Sequence, residues 1–158
     1  MRDIWTLHNM IQLLMALLGS AGFAVMFHLP RRLLGAASLG GLFCWFIYLV
    51  CQPVMKGYFL PSFVASAWGA FYAEILARVL KVPSTPFFVV AMIPLIPGST
   101  LYYAMDQMVH GYLSLASAYG VQTIQCALGI GGGMSIAWSV CDLSRKIQKL
   151  KKDRPGRS

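Results

Sequence analysis

Charged residues are scarce in this chain, at 11% of 158 residues against the roughly 25% typical of soluble domains. Hydrophobic residues make up 58%, which argues against a soluble cytosolic enzyme. Acidic residues are few as well, with five Asp and Glu against thirteen Lys and Arg. An apolar chain with a formal charge of +8 indicates a membrane protein with cationic loops.

The sequence also lacks the usual signatures of catalysis and cofactor binding. Its four cysteines form no Cys-x-x-Cys pair, so neither a zinc site nor a disulfide framework is indicated. The glycine-rich run 129–133 is not followed by Gly-Lys-Ser or Gly-Lys-Thr, which excludes a P-loop there. We expect no enzymatic activity, no metal and no cofactor. An intramembrane enzyme stays an alternative, because residues distant in sequence can meet in space.

Five apolar stretches are long enough, at about 20 residues, to cross the about 30 Å hydrocarbon core of a bilayer as helices. They lie near residues 10–29, 34–51, 58–80, 86–105 and 121–140. The sequence therefore predicts an all-α polytopic membrane protein. We expect one transmembrane domain over residues 1–143 and a basic cytoplasmic tail over residues 144–158.

The cations fall almost entirely on one side of this predicted topology. Eleven of the thirteen share that side, and only Arg2 and Lys56 lie on the other. The eleven are Arg31, Arg32, Arg78, Lys81 and the seven cations beyond residue 143. Because cytoplasmic loops retain Lys and Arg, the N-terminus is predicted outside and the C-terminus inside. Beside a bilayer, the basic tail would contact anionic lipid headgroups rather than nucleic acid.

Small residues recur at four-residue spacing in two predicted spans. Gly129 and Gly133 form a GxxxG motif in the fifth, while Ala65, Gly69 and Ala73 form a similar stripe in the third. Such faces let helix backbones approach closely in a bilayer, where the hydrophobic effect does not drive helix association. We expect both faces to be helix-packing surfaces.

The fourth predicted span contains two helix breakers near its middle, Pro94 and Pro97, followed by Gly98. Proline lacks an N–H and clashes with the carbonyl four residues back, so these prolines would free the carbonyls of Val90 and Ile93. Non-helical backbone at membrane depth is tolerated where protein buries it or where it lines a wet cavity. Since transporters bind substrates at such breaks, we predict a functional break, with a simple kink as the alternative.

The chemistry of such a break suits a carboxylate or a zwitterion. A half-helix that begins near Gly98 would direct free N–H groups and a partial positive charge at an anion, while released carbonyls accept from an ammonium group. Ser99 and Thr100 would contact substrate, cap the half-helix, or do both. We therefore predict substrate binding by Pro94, Pro97, Gly98, Ser99 and Thr100.

The segment 93–98, Ile-Pro-Leu-Ile-Pro-Gly, followed by Tyr102, resembles the Pro-Leu-(Val/Ile)-Pro-Gly…Tyr signature of the threonine/serine exporter family, specifically its small integral-membrane subunit. Residues 22–31 resemble the end of that family's first helix, in which the position of His28 is often Asn. Ala65, Ser66 and the small residues that follow resemble its third helix. The resemblance covers most of the chain, residues 22–140, and adds Tyr102 to the predicted substrate-binding residues.

The resemblance implies a bacterial inner-membrane subunit that exports threonine and serine, coupled to protons and working with a larger partner subunit. Some members are associated with a dicarboxylate such as succinate, so a dicarboxylate exporter subunit is an alternative. A non-transporting scaffold subunit is another alternative, although a scaffold has no need of a broken helix. A homo-oligomer also stays open.

Three further ionisable residues are candidates for proton coupling. Glu74 precedes Arg78 by four residues, the favourable order for an ion pair on one helix face, but an intramembrane carboxylate can also carry a proton. Asp106 and His110 are likewise four apart at the predicted outer mouth, where a solvated loop is the alternative to proton exchange. Thr123 is expected to hydrogen-bond between helices or to sit at the membrane interface.

The cation asymmetry makes the predicted orientation testable by cysteine labelling in intact cells. An impermeant thiol reagent added outside should label a cysteine placed at position 55 or 108, because both lie in predicted outer connections. The same reagent should not reach a cysteine at position 149. Labelling of position 149 without permeabilisation would contradict the predicted orientation.

Overall fold

The computed structural model describes residues 7–152, apart from the side chains of residue 145 and residues 148–152. Over this range the chain is all-helical, with six α-helices, one 3-10 turn and no strand. The elements are α1 (Leu7–Met26), α2 (Arg31–Cys51), α3 (Phe59–Leu80), α4 (Thr85–Met92), the 3-10 turn Ile93–Leu95, α5 (Gly98–Val109) and α6 (Leu113–Lys152). Four helices are long and apolar enough to cross a membrane, and α4 with α5 forms a fifth candidate, bent by 48°. The predicted all-α membrane fold with a broken fourth span is confirmed.

The last helix is longer than the apolar pattern predicts. It begins at Leu113 rather than near residue 121, and its 40 residues extend about 60 Å, twice the hydrocarbon thickness. Hydropathy measures the apolar length alone, whereas the Lys, Leu and Gln residues beyond residue 143 are good helix formers and extend the helix past the apolar stretch. The predicted domain boundary at residues 143 and 144 stays a prediction.

Most of the cations in the predicted tail lie beyond what the structure describes. Lys146 is described, and its Nζ lies 2.9 Å from Oδ2 of Asp142. The other six tail cations lie outside the described residues or side chains, and so does Arg2 near the N-terminus. The six are Arg145, Lys149, Lys151, Lys152, Arg154 and Arg157. Contact of the tail with anionic lipid therefore stays a prediction.

The first and third helices end in the same way, with a residue in the left-handed conformation. His28 (φ 55°) follows α1, and Lys81 (φ 54°) follows α3. In each case the next N–H reaches back five residues, from Leu29 to the Ala24 carbonyl and from Val82 to the Ala77 carbonyl, both at 3.1 Å. Asn is favoured at such a position, so the Asn that the family resemblance implies in place of His28 would fit this backbone.

Helix α3 is the centre of the bundle and packs against α2, α4 and α6. It runs parallel to α6, because Gly129 and Gly133 of α6 lie against the main chain of α3 at Phe59 and Phe63. A Cβ added at Gly129 would lie 2.5 Å from the Phe59 carbonyl oxygen, closer than real side chains approach. The GxxxG motif is therefore a contact surface, as the sequence predicts.

The stripe of small residues on α3 is buried along its length and faces α2 and α4. Ala65 and Ala73 are 0% and 1% exposed. The thiol of Cys44 on α2 donates to the Ala65 carbonyl at 3.6 Å, and a Cβ at Gly69 would collide with the Cys44 sulfur and with Met92 of α4. The second predicted packing face is confirmed, and both faces are used inside this chain.

The contact between α3 and α6 predicts opposite effects for two glycines that are two residues apart. Gly133→Ala would place a methyl group against the Phe63 carbonyl and should destabilise the fold by about 1–3 kcal/mol through overpacking. Gly131 has no neighbour within 4 Å of an added Cβ, so Gly131→Ala should be neutral or stabilising by up to about 1 kcal/mol. Denaturation of each purified variant in detergent measures the change in stability. Equal denaturation midpoints for the two variants would contradict the proposed packing.

Candidate functional site

The break between α4 and α5 is a tight sequence of turns rather than a smooth kink. After the 3-10 turn, Ile96 is extended (φ −60°, ψ 122°) and Pro97 turns the chain (φ −78°, ψ 54°). The Gly98 N–H donates to the Ile96 carbonyl at 2.8 Å across this turn. One expectation is wrong, because the Ile93 carbonyl is not freed and accepts the Ile96 N–H at 3.3 Å. In a continuous helix the Ile93 carbonyl would accept from residue 97, but Pro97 has no N–H. The 3-10 turn replaces that donor with the Ile96 N–H, three residues after Ile93.

Ser99 and Thr100 do not cap the second half-helix. The N-cap is Pro97, with no side-chain cap, so Ser99 and Thr100 occupy the second and third helical positions. From there the Thr100 hydroxyl donates to the Pro97 carbonyl at 3.1 Å. The Thr123 hydroxyl of α6 lies 2.9 Å from Thr100 Oγ1 and donates to it, which is the interhelical bond expected for Thr123. The pair of threonines therefore fixes the start of α5 against α6.

The break is open on one side of the chain. Gly98 and Ser99 are exposed, Ile96 is 59% exposed, and a Cβ at Gly98 would meet nothing within 4 Å. Tyr102, one turn further along α5, is also exposed and stacks edge-on against Tyr103 with ring centroids 5.6 Å apart. The start of α5 is therefore accessible from the open side of the break.

The predicted substrate-binding residues do not all face the same way. Pro94 is half-buried and lies near Gly41 of α2, on the inner side of the break. Thr100 is half-buried against α6. Only Gly98, Ser99 and Tyr102 are exposed, with Pro97 half-buried beside them. A substrate role for these six residues stays a prediction.

The inner side of the break carries two polar groups that the sequence did not single out for function. Ser20 of α1 is 0% exposed, and its hydroxyl has no hydrogen-bond partner. It lies next to Gly41 and close to Pro94. The indole N–H of Trp45 is also buried without a partner, and its ring packs on the cluster that contains Leu95 of the 3-10 turn. A buried unpaired donor costs about 1–3 kcal/mol, so each would be stabilised by an acceptor brought by a ligand or water.

Asp106 and His110 lie together at the far end of α5. The His110 Nδ1 is 2.9 Å from the Asp106 carbonyl oxygen and 3.5 Å from Oδ1. The Gln107 amide donates to the other carboxylate oxygen at 3.0 Å. The His110 side chain is exposed, so the pair is accessible from outside the bundle. Its role in proton coupling stays a prediction.

Glu74 lies at the opposite end of the broken span, near the start of α4. It is only 4% exposed, and its Oε1 lies 3.1 Å from Nε of Arg78, so the predicted ion pair is present. The Arg78 guanidinium also donates to the Cys141 carbonyl of α6 at 3.2 Å. Glu74 lines a cavity of about 330 Å³ between α3, α4 and α6. Asp106 and His110 thus lie at one end of the broken span, and Glu74 of α3 lies beside its other end.

Within residues 7–152, no three His, Cys, Asp or Glu side chains come together as a metal site would require. The comparisons with curated proteins and with solved structures each find no significant match. The model of the family described as "Threonine/Serine exporter, ThrE" matches residues 12–140, which include the whole of α2 to α5, the break and most of α1. Because this match covers well over half of the sequence, the chain belongs to the threonine/serine exporter family.

Proposed function

We propose that this chain is the membrane subunit of a secondary exporter for small hydroxy amino acids, and that the substrate passes the break between α4 and α5. Membership in the exporter family supports transport. The observation that carries the location is the open start of α5, where Gly98 and Ser99 are exposed beside a turn that interrupts the span. Transporters bind anionic groups at such half-helix starts.

The start of α5 has the chemistry to bind an amino acid. Leu101 is the first residue of α5 whose N–H reaches a carbonyl four residues back, that of Pro97 at 3.1 Å. The N–H groups of Ser99 and Thr100 precede it, so they and the positive end of the helix would hold a carboxylate. The exposed Ser99 hydroxyl would contact the hydroxyl of serine or threonine. The bond from Thr123 to Thr100 keeps this start in place.

A larger partner subunit would close the open side of the site. Lipid cannot hydrogen-bond the non-helical backbone from Ile96 to Gly98, so at membrane depth this backbone would be covered by another protein surface or line a wet cavity, of which the partner would form the other wall. The small-residue faces are occupied within this chain, that of α6 by α3 and that of α3 by α2 and α4. Because α5 begins at the break and α1 contacts the 3-10 turn beside it, the partner would contact the exposed apolar side chains of α1 and α5. These include Met10, Leu14, Leu18, Leu101 and Met105. A second copy of this chain is the alternative cover.

Proton coupling would use the two ends of the broken span. In the proposed orientation, in a bacterial inner membrane, the N-terminus is outside and the C-terminus is cytoplasmic. Asp106 and His110 would then take up a proton at the outer end, where His110 is exposed. Glu74 would release it at the cytoplasmic end, beside Arg78.

Dependence on the partner is testable by reconstitution. Vesicles containing both subunits should export radiolabelled serine and threonine, whereas vesicles containing this chain alone should not, because half of the site wall is missing. Radiolabelled succinate serves as the comparison substrate. Robust saturable efflux by this chain alone would contradict the need for a partner, and faster efflux of succinate than of serine would favour the dicarboxylate function.

The break is testable with two substitutions. Gly98→Leu adds a large side chain where an added Cβ meets no neighbour, so the fold should persist while the substrate space is filled. Pro97→Ala restores an N–H and favours continuous helix by up to about 3 kcal/mol. Efflux of serine should fall in both. Ser99 does not cap α5, so Ser99→Ala removes only the proposed contact with the substrate hydroxyl. Serine efflux should fall relative to succinate efflux, by about 1 kcal/mol in transition-state binding.

The matched control is Gly35→Leu, since Gly35 is an exposed α2 glycine, outside the proposed partner surface, with no neighbour within 4 Å of an added Cβ. That variant should export at the unmodified rate. Co-purification with the partner must be equal for all variants. Unmodified export by both Gly98→Leu and Pro97→Ala would show that the break is not the substrate site.

A further inference from the structure

Helix α5 is buried less than the helices that precede it. Ala104 is the one buried residue among its twelve, whereas three of 20 residues are buried in α1 and nine of 22 in α3. It packs mainly against α6, where the ring of Tyr103 lies on that of Tyr119 with centroids 5.6 Å apart. Segments with little buried surface separate from a fold at low cost in free energy. Helix α5 is therefore the element that can move most readily.

Each end of α5 adjoins a turn that contains a glycine. At its start, Gly98 follows the turn at Pro97, and a Cβ added to Gly98 would meet nothing within 4 Å. Beyond its other end, Gly111 has a φ of +80°, a conformation that glycine adopts without strain. Hinges are a few residues at the ends of elements that absorb changes in φ and ψ. The two turns therefore allow α5 to pivot as a rigid body.

A hydrogen bond between side chains joins the start of α5 to α6. The Thr123 hydroxyl oxygen lies 2.9 Å from Thr100 Oγ1, to which it donates. The same oxygen lies 2.9 Å from the carbonyl oxygen of Tyr119 in its own helix. A threonine hydroxyl has one proton, so Thr123 donates to one of these two acceptors at a time. The Thr100 hydroxyl has an acceptor within α5, the Pro97 carbonyl, at 3.1 Å.

These distances allow the two threonines to separate without leaving a donor unpaired. When α5 moves away from α6, the Thr123 proton turns to the Tyr119 carbonyl, and the Thr100 proton stays on the Pro97 carbonyl. The separation then loses a single neutral hydrogen bond, which changes the ratio of the two states about fivefold. A hydroxyl left without an acceptor would add a desolvation penalty, and none arises here. The contact is therefore built to open and close.

We propose that Thr123 is a positioning residue whose hydrogen bond to Thr100, here called the latch, holds the start of α5 for substrate binding and opens when substrate is released. The proposal rests on the proposed export function and names the element that moves in it. With the latch closed, the amides of Ser99 and Thr100 are held in place to bind the substrate carboxylate. With the latch open, α5 pivots at Gly98 and Gly111, and the carboxylate is released.

The kinetics of serine efflux from vesicles containing both subunits test the latch. Thr123→Val keeps a branched side chain but removes the hydroxyl, so the start of α5 is held less often. The KM for serine should rise about fivefold, because the binding-competent state is less populated. The maximal rate should be unchanged or higher, since opening is no longer opposed. A purely structural role of Thr123 would lower the maximal rate instead.

Two further variants control for loss of a hydroxyl on α6. Thr123→Ser keeps the hydroxyl and should restore the unmodified KM. Ser139→Ala removes an exposed hydroxyl that donates to the Ser135 carbonyl of the same helix at 2.8 Å, so both the KM and the maximal rate should stay unmodified. Equal KM values for Thr123→Val and Thr123→Ser would overturn the latch.

A reversible cross-link tests whether the latch has to open, and it decides the proposal even if Thr123→Val assembles poorly. Thr100→Cys combined with Thr123→Cys places two sulfurs where the hydroxyl oxygens lie 2.9 Å apart, close to the separation that a disulfide requires. Cys126 follows position 123 by three residues and is replaced by Ala in every cross-linking variant. Mild oxidation should abolish efflux while serine still binds, and reduction should restore efflux. Each single-cysteine variant should export equally with and without oxidant.

The outcomes separate the latch from the export function. Efflux at the unmodified rate by the cross-linked complex overturns the latch and leaves export standing. Serine binding without efflux in the unmodified complex refutes export, and the latch is then decided by affinity. Thr123→Val should in that case bind serine about fivefold more weakly than Thr123→Ser, and equal affinities would overturn the latch. Neither binding nor efflux by the unmodified complex would refute both proposals.

Discussion

The close approach of α3 and α6 is the contact on which the rest of the structure depends. Gly129 and Gly133 let α6 lie against the main chain of α3, where the Ser66 hydroxyl donates to the Gly129 carbonyl at 3.4 Å, and α3 also packs against α2 and α4. In a bilayer this contact is driven by van der Waals packing and hydrogen bonds, not by the hydrophobic effect. Both the cavity beside Glu74 and the position of α4 follow from where α3 sits.

The broken span is stable because neighbouring elements supply what helical geometry loses. The Ile93 carbonyl finds the Ile96 N–H, the Thr100 hydroxyl bonds the Pro97 carbonyl, and α6 holds Thr100 through Thr123. Among residues 7–152, none covers Ile96 and Gly98, which are exposed. Exposed non-helical backbone at membrane depth fits a wet cavity or a protein surface against it, and the proposed partner would supply that surface.

The two ends of α4 offer related but different chemistry. At one end, a helix start, three hydroxyls and the buried Glu74 surround a cavity. At the other end, a second helix start opens outward beside Ser99. The proposed substrate path uses the second of these ends, where the helix start would hold a carboxylate.

The sequence by itself determined the candidate spans, the break, the ion pair of Glu74 with Arg78 and the two small-residue faces. These features are set by apolar length, by missing proline N–H groups and by four-residue spacing, all of which are local. Only the tertiary structure decided which helix each face meets and how Thr100 and Thr123 pair. It also decided that Ser20 and Trp45 are buried unpaired near the break and that Ser84, Thr85 and Ser135 share a cavity with Glu74. Such groupings join residues far apart in the chain, and a single sequence holds no periodic signal for them.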